Sequence, residues 1–342
     1  MLKKFKLRCS FCFSVALLML TLPAGAEAQH PLVVTGPDEG HAPVVKAFDS
    51  LTSDHIFCAF LAYPREFTGG VRVATGDVNG DGVADIITAP GPGMGPHVRI
   101  FDGSTCRRMR GSQGDFLAYR ANFLGGVYVA AGDVNGDGFA DIITGAGAGG
   151  RPVVRIFDGL TGDMLQSFLA YDPSFRGGVN VAAGDVNGDG IDEIITAAGP
   201  GGGPHVKVFN PIGMTLLNSF FAYQSNFRGG VFVAAGDVNN DGFADIITGP
   251  GAGGVRQVKV FDAHHNLMLL HSFFAFAPLF TGGVRVAAFD FNNDGTFEII
   301  AGAGPGAGPH VKAFSSLNQS VLANFFAYPN FNGGVFVAGF NR

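Results

Sequence analysis

Asp77-Val-Asn-Gly-Asp-Gly-Val-Ala-Asp85 is a nine-residue loop that returns four more times, as Asp133 to Asp141, Asp185 to Glu193, Asp237 to Asp245 and Asp290 to Glu298, at intervals of 52 to 56 residues. Every copy has a side-chain oxygen at positions 1, 3, 5 and 9, a glycine at position 6, and a residue at position 7 free to offer its carbonyl. A hard cation requires this pattern, because several oxygens must converge at about 2.5 Å on one point. The ligand sets are Asp77, Asn79, Asp81, Val83 and Asp85; Asp133, Asn135, Asp137, Phe139 and Asp141; Asp185, Asn187, Asp189, Ile191 and Glu193; Asp237, Asn239, Asp241, Phe243 and Asp245; and Asp290, Asn292, Asp294, Thr296 and Glu298. About five Ca2+ sites are expected. Without a cation, three carboxylates a few ångströms apart repel by about a few kcal/mol per pair at an effective dielectric near 20, so folding and metal binding should be coupled.

Two blander accounts compete. Asp, Asn and Gly are good turn formers, but a turn needs no carboxylate at position 9. An EF-hand or dockerin-type helix pair begins Asp-x-Asn-x-Asp-Gly and ends on an acidic ligand at position 12. Here position 12 is Thr88, Thr144, Thr196, Thr248 or Ala301. The flanks are β-branched, glycine-bounded and free of any 3.6-residue period, which places the loops between strands.

The chain opens with Lys3, Lys4, Lys6 and Arg8, then an apolar run from Phe11 to Leu22, then Pro23 and a small-residue segment ending Ala26-Glu-Ala28. That order reads as a secretory signal peptide over residues 1–28, cleaved after Ala28. The apolar run is too short to span a bilayer, so no membrane insertion is expected. The protein is read as secreted, periplasmic or surface-located, and as a monomer. Residues 29–342 keep eighteen basic against twenty-seven acidic residues, a net charge of about −9. Fifteen of those acids are loop carboxylates. No basic patch points to nucleic acid. Cys58 and Cys106 could pair or remain thiols, since two cysteines define no disulfide framework.

Repeats cover residues 29–342 as one domain. One unit reads Gly-Gly-Val-x-Val-Ala, the acidic loop, Asp-Ile-Ile-Thr, a Gly/Pro-rich stretch, Val-x-Val-Phe-Asp, a turn and Phe-x-Ala-Tyr. Four short strands, A to D, in about 52 residues is the period of a propeller blade. Blades run over 69–119, 125–171, 177–223, 229–276 and 282–328. Residues 32–63 match strands B to D without an A, and residues 333–342 match A alone. The two fragments should complete one shared blade, because a ring stitched by its own ends leaves no open edge. The expected fold is all-β: six four-stranded antiparallel blades, five of them with cages.

Phe67, Phe123, Phe175, Phe227, Phe280 and Phe331 precede each Gly-Gly, and Tyr63, Tyr119, Tyr171, Tyr223, Phe276 and Tyr328 close each strand D. Such aromatics could bind sugars, but a residue recurring in every blade is more simply packing between sheets. His97, His205 and His310 lie in separate blades and cannot share a metal. The Gly-rich B to C connections have no following helix and no Lys-Ser/Thr pair, so they read as turns rather than phosphate cradles.

The motif Gly-Asp-Val-Asn-Gly-Asp-Gly-x-Ala-Asp-Ile-Ile-Thr, followed by Gly-Pro-Gly or Gly-Ala-Gly, resembles the FG-GAP/VCBS repeat family, including the calcium-carrying propellers of integrin α subunits. The likeness spans roughly residues 32 to 342 and implies metal held in the hairpin between the first two strands of a blade. Integrin propellers have seven blades; this chain supplies six. Asn at position 3, where integrin cages often carry Asp, lowers the cage charge. The expected function is a non-enzymatic binding or adhesion module for a protein or glycan. The alternatives are a lectin, or a polysaccharide lyase or hydrolase. An enzyme must break the symmetry of the ring, and the non-repeated polar residues singled out are Arg65, Glu66, Arg107, Arg108, Arg110, His264, His265 and His271.

Overall fold

A computed structural model describes residues 31–50, 55–111 and 113–340; the expected signal peptide, with its cleavage point at Ala28, lies outside them. The first complete blade contains β4 (Val71–Gly76), β5 (Asp85–Pro90), β6 (His97–Phe101) and β7 (Asp115–Leu117), hydrogen-bonded in that order. Four more blades repeat this order. Their innermost strands are β8 (Val127–Gly132), β12 (Val179–Gly184), β16 (Val231–Gly236) and β20 (Val284–Phe289). In the sixth sheet, β24 (Val335–Phe340) pairs antiparallel with β1 (Leu32–Pro37), followed by β2 (Val44–Asp49) and β3 (Ile56–Leu61). The register runs from Leu32 opposite Phe340 to Pro37 opposite Val335. The chain therefore forms the six-bladed propeller expected of it, closed by strands from its two ends. Among the described residues, no helix is long and apolar enough to cross a membrane.

Burial explains the strand sequences. Asp-Ile-Ile-Thr strands such as β5 are buried along their whole length, since they have sheet neighbours on both sides and a packed blade over each face, and so read as continuous apolar runs. The outermost strands β3 and Met268–Phe274 carry only exposed and half-buried residues.

Neighbouring blades are joined by a repeated polar latch. The Tyr63 hydroxyl donates to the His97 carbonyl of the next blade at 2.8 Å and meets Thr88 Oγ1 at 3.3 Å. Tyr119, Tyr171, Tyr223 and Tyr328 make the matching bonds to Val153, His205, Gln257 and Val44. Burial pushes the pKa of all five phenols up. A cation from each following blade lies over the ring and donates to the alanine carbonyl before it: Arg99 to Ala62, Arg155 to Ala118, Lys207 to Ala170, Lys259 to Ala222, Lys312 to Ala275 and Lys46 to Ala327, at 2.8 to 3.1 Å. The fifth junction lacks the hydroxyls, and it lacks both together: Phe276 stands for the tyrosine and Ala301 for the threonine. A buried hydroxyl left without its partner costs more than a matched apolar pair, which accounts for the joint change. The loop phenylalanines pack edge-on against these rings, as Phe67 does on Tyr63 at 5.7 Å. The repeated aromatics are packing, as their recurrence indicated.

Cys58 and Cys106 are disulfide-bonded. The bond ties β3 of the closing blade to the turn after β6 in the next blade, and so reinforces a junction beside the joined ends. Replacing both cysteines with alanine is expected to cost about 2–4 kcal/mol, and Tyr171→Phe about 0.5–1.5 kcal/mol, each measured by denaturant unfolding in calcium.

Candidate metal centres and the central channel

Each acidic loop curls around its own first carboxylate. Asp77 Oδ1 accepts from the amides of Gly80 at 2.7 Å and Asp81 at 3.2 Å, and Oδ2 from Gly82 at 2.9 Å. Asn79 Oδ1 accepts from Asp81 N and Asp81 Oδ1 from Val83 N, at 2.8 and 2.9 Å. The curl demands a left-handed residue at position 6. The five glycines there have φ of 83° to 89°, and a Cβ on any of them would meet nothing within 4 Å, so glycine is required for its dihedral and not for space. At position 4 the same conformation is carried by Asn240 and Asn293 in the last two loops.

The position-9 acid does different work. Asp85 is fully buried at the start of β5. Its Oδ2 accepts from Val78 N at 3.2 Å and its Oδ1 from Gly103 N at 3.1 Å, which staples the A to B loop to the turn after β6. Asp141 repeats both bonds with Val134 and Gly159. In the third blade the residue in the Gly103 position is Pro211, which has no amide hydrogen. There the longer Glu193 reaches the Asn210 side-chain amide at 3.2 Å instead. The Asp-to-Glu change thus follows a change elsewhere in the same blade.

The loops are also linked to one another. The position-8 amides of Ala140, Asp192, Ala244 and Phe297 donate to the position-1 carbonyls of Asp77, Asp133, Asp185 and Asp237 in the preceding blades, at 2.7 to 3.0 Å. At the closing blade, which has no such loop, Ser50 Oγ donates to Phe291 O at 2.9 Å.

The donors fit a hard cation. They are all oxygen in the expected positions, and Asp290, Asp294 and Glu298 bring carboxylate oxygens within 4.8 Å of one another. In the other four loops the three acids stand farther apart, held by the loop amides. Burial raises the position-9 acids Asp85, Asp141, Glu193, Asp245 and Glu298 to about 7, so without a counter-charge their anionic form is disfavoured. Calcium would supply that charge. A second cluster was not foreseen: His265 Nδ1 lies 2.8 Å from Asp262 and 3.8 Å from Asp241 of the fourth loop, with His264 stacked on Phe243 at 3.6 Å.

Other sequence candidates fall apart spatially. His97, His205 and His310 each bond a side chain of the outer strand in their own blade: Asp115, Ser219 and Asn324. Arg108 pairs with Asp115 at 3.2 Å. The symmetry-breaking residues that sequence reasoning missed are the x positions of Gly-Gly-Val-x-Val. Strands β4, β8, β12, β16, β20 and β24 ring the axis, and they place Arg72, Tyr128, Asn180, Phe232, Arg285 and Phe336 around a central cavity of about 60 Å³. The signal was there: one variable position inside an otherwise constant motif.

An FG-GAP repeat model matches residues 69–98, 125–162 and 177–207. The matched residues fall in the first three complete blades of the six-bladed architecture. Over those residues the chain carries FG-GAP repeats. It is similar to integrin alpha-8 of Gallus gallus, with 35% identity over 81 residues covering 23% of this chain and 8% of that one, and equally to integrin alpha-8 of Mus musculus over 82 residues. The chain thus spans less than a tenth of these relatives. By fold it resembles a protein of unknown function from Bacteroides caccae (TM-score 0.56, 12% identity, 90% of this chain and 98% of that one). A chain of a nidogen/laminin complex matches as well (TM-score 0.56, 9% identity, the same coverage).

The raised acids set a pH dependence. In calcium-free protein their folded pKa of about 7 exceeds the unfolded value near 4, so their stabilisation is complete below about pH 4 and is lost as pH rises through 7. His205, His271 and His310, lowered by burial, act in the opposite sense below about pH 6.5. Between pH 6.5 and 8 the calcium-free melting temperature should therefore fall, while the increment that calcium adds should grow.

Proposed function

We propose that this protein is a secreted or surface-displayed, calcium-stabilised propeller that serves as a non-enzymatic binding or adhesion module for a protein or glycan. The observation that carries this reading is the chain of five linked oxygen loops at one end of the ring. There a bound cation holds loop, strand and neighbouring blade together at once. The proposed ligands are the side chains at positions 1, 3, 5 and 9 of each loop with the carbonyl at position 7. Likeness to a segment of integrin alpha-8 favours an extracellular role. With a dissociation constant near 0.1 mM and free calcium near 1 mM, each site would add about 1.4 kcal/mol and five about 7 kcal/mol, comparable to the whole stability of an ordinary domain.

The ring supports recognition better than turnover. General acid–base catalysis needs a positioned donor and acceptor near one reacting bond. The polar and aromatic groups that line the channel are guanidinium, amide, phenol and phenyl, and Asp38, outside that lining, is paired with Arg285. The end opposite the cages carries the D to A loops and Gly-rich turns, with inter-blade grooves such as the one formed by Tyr223, Phe227, Arg228, Pro250 and Lys259. We assign recognition to that end.

Chelation should lower the melting temperature by at least about 10 °C, read by circular dichroism and restored by calcium; an unchanged melt would remove calcium from the account. A glycan array run with and without chelator tests the partner. Retention of defined sugars selects the lectin form of the reading, and turnover of a polysaccharide overturns the non-enzymatic one.

A further inference from the structure

The axial cavity holds charges that the repeat does not explain. Arg285 is 7% exposed, and its Nε and Nη1 have no hydrogen-bond partner. Its remaining bond is the ion pair of Nη2 with Asp38. Arg72 Nε is buried and unpartnered too, with Nη1 donating to Gly69 O at 3.3 Å. The two guanidiniums flank the ring of Phe336, at 5.0 Å and 4.9 Å from its centroid, and stack on their other sides against Tyr128 and Phe232. Across the cavity, Asn180 is 5% exposed; its Nδ2 donates to Val231 O while Oδ1 has no partner.

The one carboxylate, Asp38, is paired with the buried Arg285, which leaves the positive charge of the half-buried Arg72, with its Nε buried and unpartnered, without a counter-charge among the described residues. Burying a cation without a counter-charge and hydrogen bonds is costly, and nothing in the blade architecture asks for it: the same position holds Tyr128, Phe232 and Phe336 in three other blades. The cavity of about 60 Å³ admits a few waters or a small organic anion of four or five non-hydrogen atoms. Guanidinium forks match the two oxygens of a carboxylate. The orphan Asn180 Oδ1, an acceptor, wants a donor beside that anion, which either a ligand hydroxyl or a bridging water supplies.

We propose that the channel is a binding site for a single small carboxylate, held by Arg72 and Arg285 with its donor side toward Asn180. The site is separate from the calcium loops and does not depend on their assignment.

Isothermal titration calorimetry of the mature chain, in calcium and a bulky buffer, is run with acetate, glycolate, chloride and phosphate. One-to-one saturable binding of acetate or glycolate is expected. A glycolate affinity at least tenfold above acetate assigns the donor to a ligand hydroxyl, and equal affinities assign it to water. Arg72→Met, which keeps the bulk over Phe336, and Asn180→Asp, which installs a competing carboxylate at the same volume, should each weaken binding at least tenfold. Melts of both variants in calcium confirm folding, and if Arg72→Met does not fold, Asn180→Asp decides. Absence of saturable binding by either carboxylate, preference for chloride or phosphate, or an unchanged affinity in Asn180→Asp would overturn the proposal.

Discussion

A buried carboxylate at the start of the second strand in five of the six blades is the constraint around which those blades are organised. At position 9 of the loop, Asp85 and its equivalents sit with essentially no solvent exposure, where an anion is expensive unless it is surrounded by donors or a cation. The second residue of the loop donates in all five, and for Asp85 and Asp141 an amide of the turn beyond the third strand donates as well. In those two blades satisfying the charge ties the loop to that turn. Glu193 shows how strong the requirement is: where Pro211 withdraws the usual amide, a longer side chain and the Asn210 amide replace it.

Between blades, rigidity comes from a different device. Propeller blades meet face to face, and apolar packing alone sets no precise register. The tyrosine hydroxyl and the lysine or arginine above it both end on specific main-chain carbonyls across the junction, and this fixes how each sheet sits on the next. At the fifth junction Phe276 and Ala301 drop the hydroxyls, while Lys312 keeps its bond to Ala275. The cation is common to all six junctions. The amides that link one loop to the next act at the cage end of four of these interfaces, and Ser50 Oγ acts at a fifth, so those five junctions are pinned at two heights.

Much of this was readable in the repeats. A period of about 52 residues, the glycine at position 6 and the split B-C-D and A fragments implied the ring and its closure, because strand pattern and turn chemistry are local properties. The alternation of symmetric positions also sorted packing aromatics and scattered histidines from a shared site. The Cys58–Cys106 bond was not readable, since it joins two blades whose relative placement is tertiary. Nor was the His265, Asp262 and Asp241 cluster, which depends on where the turn after the fourth blade's third strand folds back.

The channel marks the boundary most clearly. By itself the sequence determined a six-bladed array with five oxygen-rich loops, because spacing, dihedral demand and donor chemistry recur along the chain. Only the tertiary structure decided that one variable residue per repeat converges on the axis, so that Arg72 and Arg285, 213 positions apart in sequence, come to flank one phenyl ring. Closing the ring brings together positions that no local pattern relates, and the burial this imposes turns two ordinary arginines into a charged, unsatisfied pocket.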